Sequence, residues 1–210
     1  MNELNYIAVD GPIGAGKTTL VNMLSKTLAA KAFYEPASKN PFLPDFYSNP
    51  DDNAFKTQLF FLLSRYQQQA EITRRCIDNK RVICDYTFAK DSIFAGVNLK
   101  TDELELYNSI FELLSTKLVK PNLAIYLRAE GKVLLQRIKK RNIDYEKKIN
   151  ISYLDRLTNA FDDYFLKYTK TPLLVVETTN ADYLSSPEDF ENLKKEIKNH
   201  RGGTVHFISR

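Results

Sequence analysis

The stretch Gly11-Pro12-Ile13-Gly14-Ala15-Gly16-Lys17-Thr18 follows the apolar run Tyr6-Ile7-Ala8-Val9 and opens an amphipathic pattern. It matches G-x-x-x-x-G-K-[ST] in full, in the strand-to-helix setting where that pattern works. Gly11, Gly14 and Gly16 let successive backbone N–H groups, that of Ala15 among them, turn inward on an anion with no Cβ in the way. Lys17 offers a mobile charge to outer phosphates, and the hydroxyl of Thr18 is a ligand for Mg2+. The helix that begins at Lys17-Thr18-Thr19 aims its positive end at the same spot, so Thr19 is counted with the phosphate-binding residues. A glycine-rich turn that matches by chance is the bland alternative. The strand before it and the helix after it favour a nucleoside triphosphate site.

Outward from this cradle, short apolar runs alternate with helical patterns. Strands are expected at 6–9, 32–34, 81–84, 123–127 and 173–176, and helices at 18–30, 53–79, 88–97, 102–118, 131–140, 152–168 and 187–199. The alternation predicts an α/β fold, a five-stranded parallel sheet with helices on both faces. The strands are apolar on successive residues, as strands covered on both faces are. Ligands of such sheets bind at the carboxyl ends of the strands, which gathers Asp10, Glu35, Asp85 and Arg128 near one rim. Pro41, Pro44 and Pro50, interleaved with Phe42, Phe46 and Tyr47, mark an ordered loop with aromatic anchors. The last ten residues read as a tail or an edge strand. With no repeat, low-complexity segment or linker, 1–210 reads as a single domain.

The 210 residues are 43% apolar and 27% charged, ordinary for a soluble globular protein. The net charge of +4 suits a small polyanion and, without a long basic stripe, does not call for nucleic acid. No apolar run approaches a membrane span, and Met1-Asn2-Glu3-Leu4-Asn5 lacks the pattern of a signal peptide. Cys76 and Cys84 read as reduced, mostly buried thiols, which fits a cytoplasmic protein. His200 and His206 read as surface or tail residues.

Glu35 comes directly after the second strand and is followed by Pro36, which keeps the chain extended. A carboxylate on this rim can accept the proton of an alcohol that attacks a γ-phosphate. A capping or surface glutamate is the alternative. Asp85 ends the third strand, where it either holds Mg2+ or caps the next helix. Arg137 and Arg141, four apart, share one helix face and form a candidate clamp for a transferring phosphoryl group. The basic run then breaks at Asn142-Ile143-Asp144-Tyr145-Glu146, so 137–148 reads as a closing lid.

Together these residues resemble the deoxynucleoside kinase family, whose members are enzymes of the P-loop fold with an arginine-bearing lid. The resemblance rests on 11–18, Glu35-Pro36, Tyr47, Gln58 with Leu63-Ser64-Arg65, Asp85, Asp91 to Phe94-Ala95, and Arg137, Arg141 and Glu146. It implies a kinase that moves the γ-phosphate of ATP, as its Mg2+ complex, to the 5′-hydroxyl of a deoxyribonucleoside in nucleotide salvage. Glu35 matches the general base, and Gln58 the reader of the nucleobase. Tyr47 and Glu146 match the pair on the 3′-hydroxyl. Arg65 and Asp91 match the charged pair of members that take purines or deoxycytidine, and Phe94 matches the aromatic that packs on the base. Thr18 and Asp85 are the implied metal ligands, and a homodimer through the long helices is the implied assembly.

Three departures stand out. Tyr86 occupies the place of an arginine that in the family touches the 5′-oxygen, and Ile143 that of a second lid arginine. One residue is missing between Asp85 and Phe94, so Lys90 rivals Asp91 at the base pocket. Two other functions fit parts of the pattern. A thymidylate-type nucleoside-monophosphate kinase shares the cradle and Glu-Pro, but Tyr34 before and Ala37-Ser38 after depart from its motif. A non-catalytic nucleotide-binding regulator fits Tyr86 and Ile143 but leaves Glu35 without a use.

Overall fold

The structure, a computed structural model, describes residues 4–116, 118–180 and 186–208. The strands are β1 Tyr6–Asp10, β2 Lys31–Phe33, β3 Val82–Cys84, β4 Leu123–Arg128, β5 Leu173–Glu177 and β6 Thr204–Ile208. They form one six-stranded sheet in the order β2-β3-β1-β4-β5-β6, with every pairing parallel. The sheet therefore has one strand more than the five expected. Thr204-Val205-His206-Phe207-Ile208 is the edge strand, and only hydrogen bonding to β5 distinguishes it from a tail. The order turns at β1, which lies between β3 and β4, and this switch point opens a crevice at the carboxyl ends of the strands.

The helices are α1 Lys17–Thr27, α2 Leu43–Ser48, α3 Pro50–Ile77, α4 Lys90–Asn98, α5 Thr101–Ser115, α6 Gly131–Arg141, α7 Ile151–Leu166 and α8 Pro187–Asn199. Among the described residues no helix is long and apolar enough to cross a membrane. The expected loop around Pro41, Pro44 and Pro50 is largely helical. Pro44 and Pro50 stand in the first turns of α2 and α3, where a missing N–H costs nothing.

Side-chain alternation along the strands builds two core layers. Leu123, Ile125 and Leu127 of β4 face a layer completed by Leu20 and Leu24 of α1, Leu134 and Ile138 of α6, and Leu193 of α8. Ala124 and Tyr126 face the other side, against Leu157, Phe161 and Phe165 of α7. Cys84 is buried in a third cluster with Tyr6, Phe33 and Ile72, and both cysteines are free thiols. His206 is exposed on β6, whereas His200 is partly anchored by a ring nitrogen 3.0 Å from the Leu173 carbonyl.

Candidate active site

The cradle takes its shape from glycine. Gly11, Gly14 and Gly16 have φ of +146°, +85° and +97°, in the range that side chains resist. A Cβ on Gly11 would stand 2.5 Å from the Leu127 carbonyl oxygen, so the loop sits directly on the end of β4. Asp10, a rim residue to which the sequence assigned no task, ties the loop in place. Its carboxylate accepts from the Gly11 N–H at 2.8 Å and from the N–H and hydroxyl of Thr87 at 3.0 and 2.5 Å. Its position immediately before the cradle was the only sequence signal for that role. Lys17 folds back on its own loop and donates to the carbonyls of Gly11 and Pro12, both at 2.8 Å. Burial and then the Lys90 ammonium lower Lys17 to about 7, against the pull of Asp10, Glu35 and Asp85. Thr18 and Thr19 are exposed at the start of α1.

Facing the cradle is a cavity of about 150 Å3 lined by Lys17, Thr18, Glu35, Tyr47, Gln58, Arg65, Asp85, Phe94, Arg141 and Glu146, all named from the sequence. Lys90, Phe46, Phe61, Tyr145 and Tyr153 join them. Four cations (Lys17, Arg65, Lys90, Arg141) meet three carboxylates there, a balance that favours an anionic ligand.

Glu35 is positioned through its backbone, whose N–H donates to Asp85 Oδ1 at 2.7 Å. Its carboxylate is gripped on both oxygens. Arg65 pairs with Oε1, and Lys90 pairs with Oε2 at 2.5 Å. Burial alone would raise its pKa, but Arg65, Lys90 and Lys17 outweigh burial and bring it down to about 2. Arg65 also pairs with Asp91 deep in the protein, so one guanidinium joins the two carboxylates. Lys90 and Asp91, rivals in the sequence, thus have separate tasks. Lys90 lines the cavity, whereas Asp91 is completely buried behind Arg65 and outside the lining.

The far wall is aromatic and amide. Gln58 is 3% exposed, lines the cavity, and has no hydrogen-bonding partner for its side chain among the described residues. Its amide is free both to donate and to accept. Tyr47 stacks on Tyr145 at 6.1 Å with an interplanar angle of 3°, which docks the lid on α2. The segment after α6 is a single 3-10 turn, Asp144–Lys148, more regular than the expected irregular break. Arg141 is bidentate on Glu146, with Nη2 at 2.5 and 2.6 Å from its two oxygens.

Besides Asp91, two more expected site residues, Tyr86 and Arg137, lie outside the cavity lining. Tyr86 is buried beneath the Arg65 guanidinium, with its hydroxyl donating to Gln68 at 2.6 Å. Arg137 does not share the clamp with Arg141. It bonds the hydroxyl and carbonyl of Thr178 at 3.2 and 2.6 Å, because β5 ends beside this turn of α6. Neither residue, nor Ile143, lines the cavity.

Oxygen donors suited to a hard cation meet at the mouth, where Thr18 Oγ1 donates to Asp85 Oδ2 at 3.0 Å. Burial raises the Asp85 carboxyl, while Lys90 opposes that rise. No cluster of three or more His, Cys, Asp or Glu suited to a metal occurs among the described residues. A hydroxyl and one carboxylate fit Mg2+ that arrives on phosphates and keeps several waters.

Comparison with known proteins bears on the family and the fold. The chain matches the family model "Deoxynucleoside kinase" over residues 7–201. It is 36% identical over 203 residues to a deoxyguanosine kinase of Bacillus subtilis (strain 168), across 94% of this chain and 98% of the relative. It is 33% identical over 202 residues to a deoxyadenosine kinase of Dictyostelium discoideum, across 95% of this chain and 82% of the relative. A solved deoxyadenosine kinase of M. mycoides with bound dCTP superposes with a TM-score of 0.77 at 28% identity, covering 91% of this chain and 99% of that one.

Proposed function

The chain belongs to the deoxynucleoside kinase family, and on that premise we propose that its cavity passes the γ-phosphate of ATP to the 5′-hydroxyl of a purine deoxyribonucleoside. The observation that carries this reading is that Lys17, Glu35 and Gln58 line one cavity. Phosphate cradle, candidate base and free amide thus meet in a single space. The triphosphate lies on the backbone of the cradle, where Lys17 exchanges its two loop carbonyls for phosphate oxygens. Thr18 and Asp85 would hold Mg2+, which supplies neutralising charge when bound.

Gln58 hydrogen-bonds the nucleobase, Phe94 packs on it, and Arg65 borders it. Tyr47 and Glu146 take the sugar edge, and Glu35 accepts the 5′-hydroxyl proton. Arg141, on Glu146, lines the cavity from the lid side. Arg137 would first have to release Thr178, so charge on the phosphoryl group in flight is assigned to Lys17 and Arg141. The names of the relatives support a purine acceptor, with deoxycytidine second. Exposed apolar residues on neighbouring helices, Leu63 and Tyr66 of α3 with Leu106 and Leu113 of α5, support a homodimer. The two free thiols accord with a cytoplasmic setting.

The test is ADP release from Mg-ATP with each of the four deoxynucleosides and with thymidine monophosphate. Deoxyadenosine and deoxyguanosine should give the highest kcat/KM. Release with the monophosphate alone would make the chain a nucleotide kinase, and release with none would make it a binder.

A further inference from the structure

The two cations on Glu35 are not held alike. Arg65 is locked, with one terminal nitrogen on Glu35 and the other on Asp91. Its guanidinium lies 5.2 and 5.4 Å from the ring centres of Phe61 and Tyr86. Withdrawing it would strip Asp91, fully buried, of its counter-charge. The Lys90 ammonium has Glu35 Oε2 as its only hydrogen-bonding partner among the described residues. Its ammonium stands over the Phe94 ring, 5.6 Å from the centre, on a stem rooted in the first turn of α4. A compact charge on a flexible four-carbon stem is made to move in a way that a stacked, two-handed guanidinium is not. Tyr86 brings no charge to this region, since its hydroxyl is turned to Gln68.

An acceptor hydroxyl that approaches Glu35 competes with these cations for the carboxylate oxygens, and Lys90 is the one free to yield. The geometry points to Lys90 as a further catalytic cation: on acceptor binding its ammonium gives up Glu35 Oε2 to the incoming hydroxyl and turns to the phosphoryl oxygens in transit. This assignment rests on the kinase reading above. In the step, the 5′-oxygen bonds to the γ-phosphorus as the bond from that phosphorus to the bridging oxygen breaks. The hydroxyl proton passes to Glu35, and ADP leaves with the electron pair. Lys90 gains and loses no proton. Its departure unburdens the base, and its arrival places charge where negative charge gathers. An interaction made only in the transition state raises kcat and leaves acceptor affinity nearly unchanged.

Lys90→Met and Lys90→Arg test this in the full chain, with Mg-ATP and the best deoxynucleoside. Lys90→Met should lower kcat about 10²–10³-fold, the range for losing one preorganised charge, with the calorimetric acceptor Kd within about threefold of wild type. Lys90→Arg, which keeps the charge, should retain at least roughly a tenth of kcat. A Lys90→Met kcat within about threefold of wild type overturns the assignment, given the size of effect such a charge exerts. So do equal losses in both variants, or an acceptor affinity that falls as far as kcat, because each marks a structural role. Should Lys90→Met not fold, Lys90→Gln is judged by the same criteria. A wild-type protein inactive on every deoxynucleoside refutes the kinase reading and this assignment with it, whereas an active wild type with an unimpaired Lys90→Met refutes the assignment alone.

Discussion

Replacing Asp91 with alanine tests the buried charge chain that supports the candidate base. Asp91 is 0% and Arg65 2% exposed, so water cannot hydrate whichever partner is left behind. Losing one member of such a pair costs about 3–5 kcal/mol, and we place this variant near 3 because Arg65 keeps Glu35 as its second partner. For a chain of 210 residues that loss lowers the thermal midpoint by roughly 6–12 °C. Urea unfolding followed by circular dichroism should show the change in the midpoint with an unaltered slope. The double variant Arg65→Met/Asp91→Leu, which removes both buried charges, should regain most of the loss. A single-variant loss under about 1 kcal/mol, the scale of an exposed pair, would refute the claim that these charges are buried and coupled.

Three further outcomes rest on the same geometry. Gly11→Ala meets the Leu127 carbonyl oxygen and a φ of +146°, so it should cost about 2 kcal/mol or more and weaken triphosphate binding. Gly96→Ala, in α4 with nothing within 4 Å of its Cβ, should instead stabilise by about 0.4–1 kcal/mol, and urea midpoints separate the two. Lys17, lowered to about 7 by burial and Lys90, regains its ordinary affinity for a proton beside phosphates. Because the protonated form binds, triphosphate affinity should fall as pH rises above 7, by up to about tenfold per unit, with about one proton taken up. Calorimetry in buffers of different ionisation enthalpy measures that uptake, and none at pH 8 would contradict it.

The cradle was legible because its requirements are local: three glycines, a lysine and a threonine at fixed spacing between strand and helix. Glu35 and Asp85 were legible because the rim of a parallel sheet collects whatever follows its strands, whereas Gln58, inside α3, was reached only through the family resemblance. The remaining features depended on partners distant in sequence. Helical spacing puts Arg137 and Arg141 on one face, but Thr178, 41 residues beyond Arg137, captures the first and Glu146 the second. Adjacent residues on the first turn of α4 divide between Glu35 and Asp91's partner Arg65, a division fixed by α3 and the end of β2. Edge strand β6 carries no core-like run, only an alternation half exposed on its outer side, so pairing with β5 decides it. Helix α2 was hidden by its own Pro44, because proline breaks a helix interior but fits a first turn.

The central claim is that Glu35 takes the proton of an uncharged acceptor in front of the cradle. Single-turnover phosphoryl transfer by Glu35→Gln, with ATP affinity measured in parallel, tests it most directly. Glutamine keeps the shape of the side chain and removes its basicity. The account predicts a rate lower by about 10²–10⁴-fold, the usual share of a general base, with ATP Kd within about threefold. An unchanged rate would contradict it, and Glu35 would then be only the counter-ion of Arg65 and Lys90.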